Sequence, residues 1–81
     1  MKYHVNITIA LKEGILDPEG RAIQHVLSTL GFDVESLSTA RLFCVTLDAA
    51  DRSAAAAEAA RMCERLLANP VIHCYTVEVL E

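Results

Sequence analysis

The sequence predicts an α+β fold in the order β-α-β-β-α-β, a ferredoxin-like split β-α-β unit in which one antiparallel sheet carries both helices on one face. Three observations predict it. The first eleven residues alternate apolar and polar side chains. Two later segments space their apolar residues as helices do. Short segments with strand character separate and follow those helices.

In the first strand, Tyr3, Val5, Ile7, Ile9 and Leu11 alternate with Lys2, His4, Asn6, Thr8 and Ala10. A period of two over ten residues marks a strand with one buried face. Gly14 then punctuates a turn, and "GILDPEG" opens the first helix. Asp17 is suited to the N-cap, where its carboxylate accepts from orphan amides of the first turn. Pro18 suits the first helical position, because its missing N–H is an orphan there anyway. Ala22, Ile23, Val26, Leu27 and Leu30 form one stripe, and Gly31 supplies the stop.

A short strand is expected at residues 34–38 and another at 41–48, where Phe43, Val45 and Leu47 alternate. The link between them is short, which predicts a hairpin. Asp48 or Asp51 can cap the second helix, which reaches to Ala68. Its apolar stripe is Ala55, Ala56, Ala59, Met62, Cys63, Leu66 and Leu67, with Glu58, Arg61, Glu64 and Arg65 on the wet side. Asn69 and Pro70 end it, the asparagine as a left-handed cap and the proline as a residue that cannot continue a helix. Residues 71–80 make the last strand.

The chain has 81 residues, so a single domain, 1–81, is the default. A chain this short buries only about 60–65% of its unfolded surface, and its core is marginal unless a partner adds to it. Although 53% of residues are hydrophobic, only 5% are aromatic, and many of the rest are alanine. The net charge is -4 with no basic run, which disfavours nucleic acid and anionic membrane as partners. No apolar run approaches the roughly 20 residues of a bilayer span. The alternating N-terminus does not read as a signal peptide. Cys44, Cys63 and Cys74 are odd in number and widely spaced, which suits a reduced, cytoplasmic protein with three small core thiols.

If Val5, Ile7, Phe43 and Val45 face the helices, then Asn6, Thr8, Leu42, Cys44 and Thr46 face away. The last strand adds either Ile72, Cys74 and Thr76 or His73, Tyr75 and Val77 to that outer face. Both sets are mostly neutral, so a second copy is expected to cover the face and make a dimer or higher assembly through the sheet.

No catalytic constellation can be assembled. There is no C-x-x-C, and His73 and Cys74 are neighbours that a strand points to opposite faces. His4 and His25 lack a local nucleophile or orienting carboxylate. The helix start after Gly14 could cradle an anion, but Asp17 and Glu19 place two carboxylates there and repel one. Gly20, inside the first helical turns, costs up to about 1 kcal/mol against alanine, so close backbone approach is expected there. Leu16 would staple against Arg21, which is not apolar. Ile15 and Leu16 therefore bury against the sheet edge or another chain.

Two segments, "LKEGILDPEGRAIQHVLSTLGFD" (11–33) and "CERLLANPVIHCY" (63–75), closely resemble the signature segments of PurS, the small-subunit family of phosphoribosylformylglycinamidine synthase. The resemblance runs nearly end to end. It implies a chain without an active site, an enzyme only as part of an ATP-dependent, glutamine-using ligase complex of de novo purine synthesis. Such subunits dimerise and bridge a glutaminase (PurQ) and a synthetase (PurL). The complex converts formylglycinamide ribonucleotide, glutamine and ATP into formylglycinamidine ribonucleotide, glutamate, ADP and phosphate. No cofactor or metal is expected on this chain, since ATP and Mg belong to the synthetase.

The resemblance assigns Asp17, Pro18 and Gly20 to the first loop and helix start, and Asn69 and Pro70 to the second corner. It tilts Ile15 and Leu16 towards partner contact. The family's V-R-x-G-K stretch reads "LSTAR" here, so Ser38 stands for arginine, Ala40 for glycine and Arg41 for lysine. Arg41 is then the surviving charged contact. His73 stands for the glutamate of N-P-V-I-E, so an arginine–glutamate contact is lost at both ends. The alternative from a different class is a ligand-sensing or assembly module that binds an amino acid or nucleotide between copies. A stand-alone enzyme is weakest.

Overall fold

The structure, a computed structural model, describes residues 1–80. The long alternating segment forms β1 (Lys2–Leu11) and is the centre of a three-stranded antiparallel sheet. β2 (Ala40–Asp48) and β3 (His73–Leu80) flank it. Val5 pairs with Val45 and Val79, and Ile7 with Phe43 and Val77, so the apolar rows of all three strands share one face.

Helix α2 (Arg52–Met62) packs on that face, mainly against β1 and β3. Asp51 is its N-cap and accepts from the Ala54 amide at 2.8 Å. Asp48 instead meets the Met1 ammonium at 3.0 Å, an exposed pair. The core is Val5, Ile7, Ile9 and Val79 beneath Ala55, Ala59 and Cys63. Alanine brings the helix backbone close to the sheet, and the branched strand residues provide the apolar area, worth about 1.5–3 kcal/mol each when fully buried.

After Met62 the helix continues as one π-helical turn, Cys63–Leu67, closed by the Ala68 amide donating to the Cys63 carbonyl at 2.9 Å. The predicted stripe is buried at Ala55, Ala59 and Cys63 and half-buried at Ala56, Met62 and Leu67. Leu66 departs from it and is 84% exposed, because the wider turn carries it off the helical stripe.

Helix α1 (Pro18–Thr29) forms as its caps dictate. At its end Gly31 takes φ +99°, its amide donating to Ser28 and the Phe32 amide to Leu27, which closes a Schellman motif.

The α+β class and the antiparallel sheet are those expected. Two details differ. Residues 34–38 form no strand and bend at Glu35, so the expected hairpin is absent and the sheet stops at β2. In addition, α1 does not pack broadly on the sheet or on α2. It projects as an arm. A ten-residue strand is about 34 Å long and a twelve-residue helix about 18 Å, and end to end they account for the 50 Å long axis. The radius of gyration is 16.0 Å, against about 12 Å for a compact domain of this length.

The cysteine expectation also needs correction. Only Cys63 is buried, and Cys44 and Cys74 are exposed. The register explains it: Cys44 pairs with Asn6 and Cys74 with Ala10, both on the outer face of the sheet. Of the two alternatives for β3, Cys74 and Thr76 point outwards, and Tyr75 and Val77 face the helix side.

Candidate functional site

One end of the sheet gathers both signature segments. There β1 ends, β2 and β3 begin, α1 starts, and the helical stretch after α2 stops. The Lys12 amide donates to the Ile72 carbonyl at 2.8 Å, and its ammonium to the Pro70 carbonyl at 2.6 Å. These bonds join two corners 58 residues apart in sequence.

Asp17 organises the arm's root. Its carboxylate accepts from the Gly20 amide at 2.9 Å, the N-cap bond. The same carboxylate accepts from the Thr39 amide and the Thr39 hydroxyl, each at 2.8 Å. The two ends of the arm are therefore clamped by one side chain. The Gly20 amide, then the Thr39 amide and hydroxyl, hold the Asp17 carboxyl below its usual value, because each donor favours the charged form.

Gly20 is the buried residue of α1. A Cβ there would lie 2.8 Å from Asp17 Oδ2 and 3.2 Å from the Leu37 carbonyl oxygen. The expected close approach is thus made by the arm's own return segment. Gln24 reinforces it by donating to the Val34 carbonyl at 3.1 Å. Gly14 is different: nothing crowds its missing Cβ, and its φ of +86° is the reason for glycine. The Ile15 amide donates to the Lys12 carbonyl across that turn.

Ile15 and Leu16 remain 40% and 60% exposed, so neither is buried on the sheet edge of its own chain. The first-turn amide of Gly20 is already taken by Asp17, which agrees with the sequence argument against an anion cradle.

At the second corner Asn69 does not adopt a left-handed cap, since no non-glycine residue among the described residues has positive φ. It builds an Asx turn instead, its Oδ1 accepting from the Val71 amide at 3.0 Å. Its carbonyl accepts from the Ile72 and His73 amides. His73 Nδ1 then accepts from the Asn69 amide at 2.9 Å, so this ring is a structural acceptor. Arg41 sits over the Phe43 ring, 5.5 Å from its centroid, and shares a small cavity of about 180 Å³ with His73, Thr39 and Ile9. Ile15, Asp17, Gly20, Asn69, Pro70, Arg41 and His73 thus converge on one end.

Thr39 is a site residue that sequence reasoning missed. It lies 22 positions from Asp17, and no local pattern announces the clamp. A second missed feature is an open apolar groove of about 540 Å³ on the helix side of β2, floored by Phe43, Val45, Met62, Leu66 and Leu67. Glu58, which pairs with Arg61, and Arg65 form its rim. The buried Cys63 thiol is pushed up by burial and by neighbouring Glu64, and so stays protonated and inert.

This geometry defines a class: a small α+β contact subunit whose polar side chains tie backbone segments together and whose apolar arm and groove stay uncovered. Comparison with known proteins gives the class a name. The sequence profile described as PurS: Phosphoribosylformylglycinamidine (FGAM) synthase matches residues 4–81. The PurS subunit of Methanothermobacter thermautotrophicus is 42% identical over 81 residues, covering 100% of this chain and 96% of that one. That of Bacillus subtilis is 38% identical over 80 residues, covering 98% and 94%. The crystal structure of Methanocaldococcus jannaschii PurS superposes with a TM-score of 0.89 at 39% identity, covering 98% and 96% of the two chains. A chain of the PurLQS structure from Thermotoga maritima gives 0.90 at 27% identity, covering 99% of each. The chain belongs to the PurS family.

Proposed function

We propose that this chain is the small subunit of FGAM synthase, the ATP-dependent, glutamine-using ligase of purine biosynthesis, and that it contributes contact and not catalysis. The observation that carries the reading is the match to PurS along the whole chain, including a chain from the PurLQS assembly. A PurL-like synthetase and a PurQ-like glutaminase are its partners. ATP and Mg are used on the synthetase, and this chain binds no cofactor.

The clamped corner at Asp17, Gly20, Thr39, Asn69 and Pro70 fixes where Ile15, Leu16 and Arg41 point. Its role is to present them to a neighbouring chain. The outer face of the sheet, with Asn6, Thr8, Leu42, Cys44, Thr46, Cys74 and Thr76, is a second contact surface, used between copies or towards the larger subunits. The site of action is the cytoplasm, which accords with the lack of any helix long and apolar enough to cross a membrane among the described residues. No relative named above is a ligand sensor, and that alternative is not carried further.

Reconstitution tests the reading. Glutamine-dependent amidine synthesis by the cognate PurL and PurQ is expected to require this chain. Full activity in its absence would refute the role.

A further inference from the structure

His73 has a task in the second corner that an imidazole performs only while neutral. Two bonds close the loop 69–73 on itself. The His73 amide donates to the Asn69 carbonyl at 2.7 Å, and the Asn69 amide donates to His73 Nδ1 at 2.9 Å. An amide N–H can only donate, so Nδ1 offers its lone pair and the neutral ring keeps its proton on Nε2. Among the described residues the ring is the partner of the Asn69 amide. Pro70, next in the loop, has no N–H to contribute.

Protonation inverts this bond. An imidazolium carries N–H groups at both nitrogens, so a donor at Nδ1 would face the donor of the Asn69 amide. Histidine is the side chain whose ordinary titration falls between about pH 5 and 8. The cavities beside the ring present Lys12 from the end of β1 and Arg41 from β2. Glu64 and Cys63 come from the π-helical turn, and Cys74 and Tyr75 from β3. Glu64 is the one carboxylate among them, so a charged ring meets two like charges and one opposite charge.

The end of β1 is fastened to this loop. The Lys12 amide donates to the Ile72 carbonyl at 2.8 Å, and the Lys12 ammonium to the Pro70 carbonyl at 2.6 Å. Both acceptors lie between Asn69 and His73, and the Gly14 turn and the root of the arm follow Lys12 directly. A loop closed by both bonds keeps those carbonyls in place. A loop with one closing bond inverted does not.

We propose that His73 is a pH-operated latch: the neutral ring closes the 69–73 loop and so holds the end of β1, and protonation releases both. The latch goes beyond the subunit reading. It is a property of the chain by itself, so its failure is separate from failure of the ligase role.

NMR of the full chain between pH 8 and 5.5 tests it. At pH 8 the ring nitrogens of His73 are expected to show the proton on Nε2 and a bare Nδ1. As the ring protonates, hydrogen exchange of the Asn69 and Lys12 amides, corrected for the intrinsic pH dependence of exchange, is expected to rise about two- to tenfold, the range for loss of one ordinary hydrogen bond. The Ile7 amide, inside the sheet, is expected not to respond. His73→Asn is the control, because its Oδ1 stands where Nδ1 stood and does not titrate. In that variant both amides are expected to keep their protection across the range. A proton on Nδ1 at pH 8 overturns the proposal. So does protection of Asn69 that persists through the titration of His73, or that follows His4 or His25 instead. Loss at Asn69 with Lys12 unmoved overturns the latch, and a rise of the same size in His73→Asn assigns the response to another group.

Discussion

The body and the arm are built from the same kinds of residue and meet opposite fates. In the body, Val5 and Ile7 are fully buried under Ala55 and Ala59 of α2 and Cys63 of the turn that follows it. In the arm, a stripe with equally regular helical spacing is left open, and half of the molecule's large exposed apolar side chains lie between Ile15 and Phe32. The body's strands find partners 30 to 76 residues away in the same chain. The arm's helix is rooted by hydrogen bonds at its base and by little else. An amphipathic pattern therefore specifies that a face will be covered, without specifying which copy of the chain covers it.

Core truncation gives the largest expected effect. Ile7→Ala is expected to cost about 2–5 kcal/mol in denaturant unfolding at any protein concentration. Leu30→Ala in the arm is expected to cost about 1–3 kcal/mol, but only at concentrations where copies associate. Equal, concentration-independent losses at the two sites would erase the distinction between body and arm.

The sequence makes the body legible because its signals are local. Period-two alternation gives β1. Asp17, Pro18 and Gly31 bound α1, and Asp51 starts α2. What was illegible depends on distance or on a neighbour. Residues 34–38 carry strand composition, but pairing needs an adjacent edge, and they pair with neither edge of the sheet. Thr39 contributes two donors to a carboxylate fixed far upstream. The π-helical turn moves Leu66 off a stripe that ideal spacing assigned to the core. Cysteine is usually buried, yet the register of Cys44 and Cys74 on a sheet covered on one side exposes them.

Gly20→Ala probes the root of the arm. Helix propensity gains about 1 kcal/mol, but the new methyl meets a clamped carboxylate and a backbone carbonyl. A net loss of about 1–2 kcal/mol is expected by thermal or chemical unfolding. A gain would show that the arm's return segment is not held against α1.

Thiol labelling reports on the outer face. Cys63 is expected to react only on unfolding, while Cys44 and Cys74 react in the native protein. Protection of the latter two that disappears on dilution would assign the outer sheet face to a contact between copies.

The smallest expected effect is electrostatic. Asp17 is stabilised as a carboxylate, so its folded value lies below the 3.8 of the unfolded chain. Its contribution is complete above that pH and is lost as pH falls through the folded value. Asp17→Asn is expected to flatten this acid limb of the stability profile and leave the neutral region less stable but level.

Sedimentation equilibrium of the unmodified chain over a wide dilution range tests the central claim most directly. A chain whose arm and groove stay open until copies meet predicts a mass at least twice 8.8 kDa, with dissociation and loss of stability setting in together on dilution. A mass of 8.8 kDa at every concentration, with unchanged stability, would contradict it.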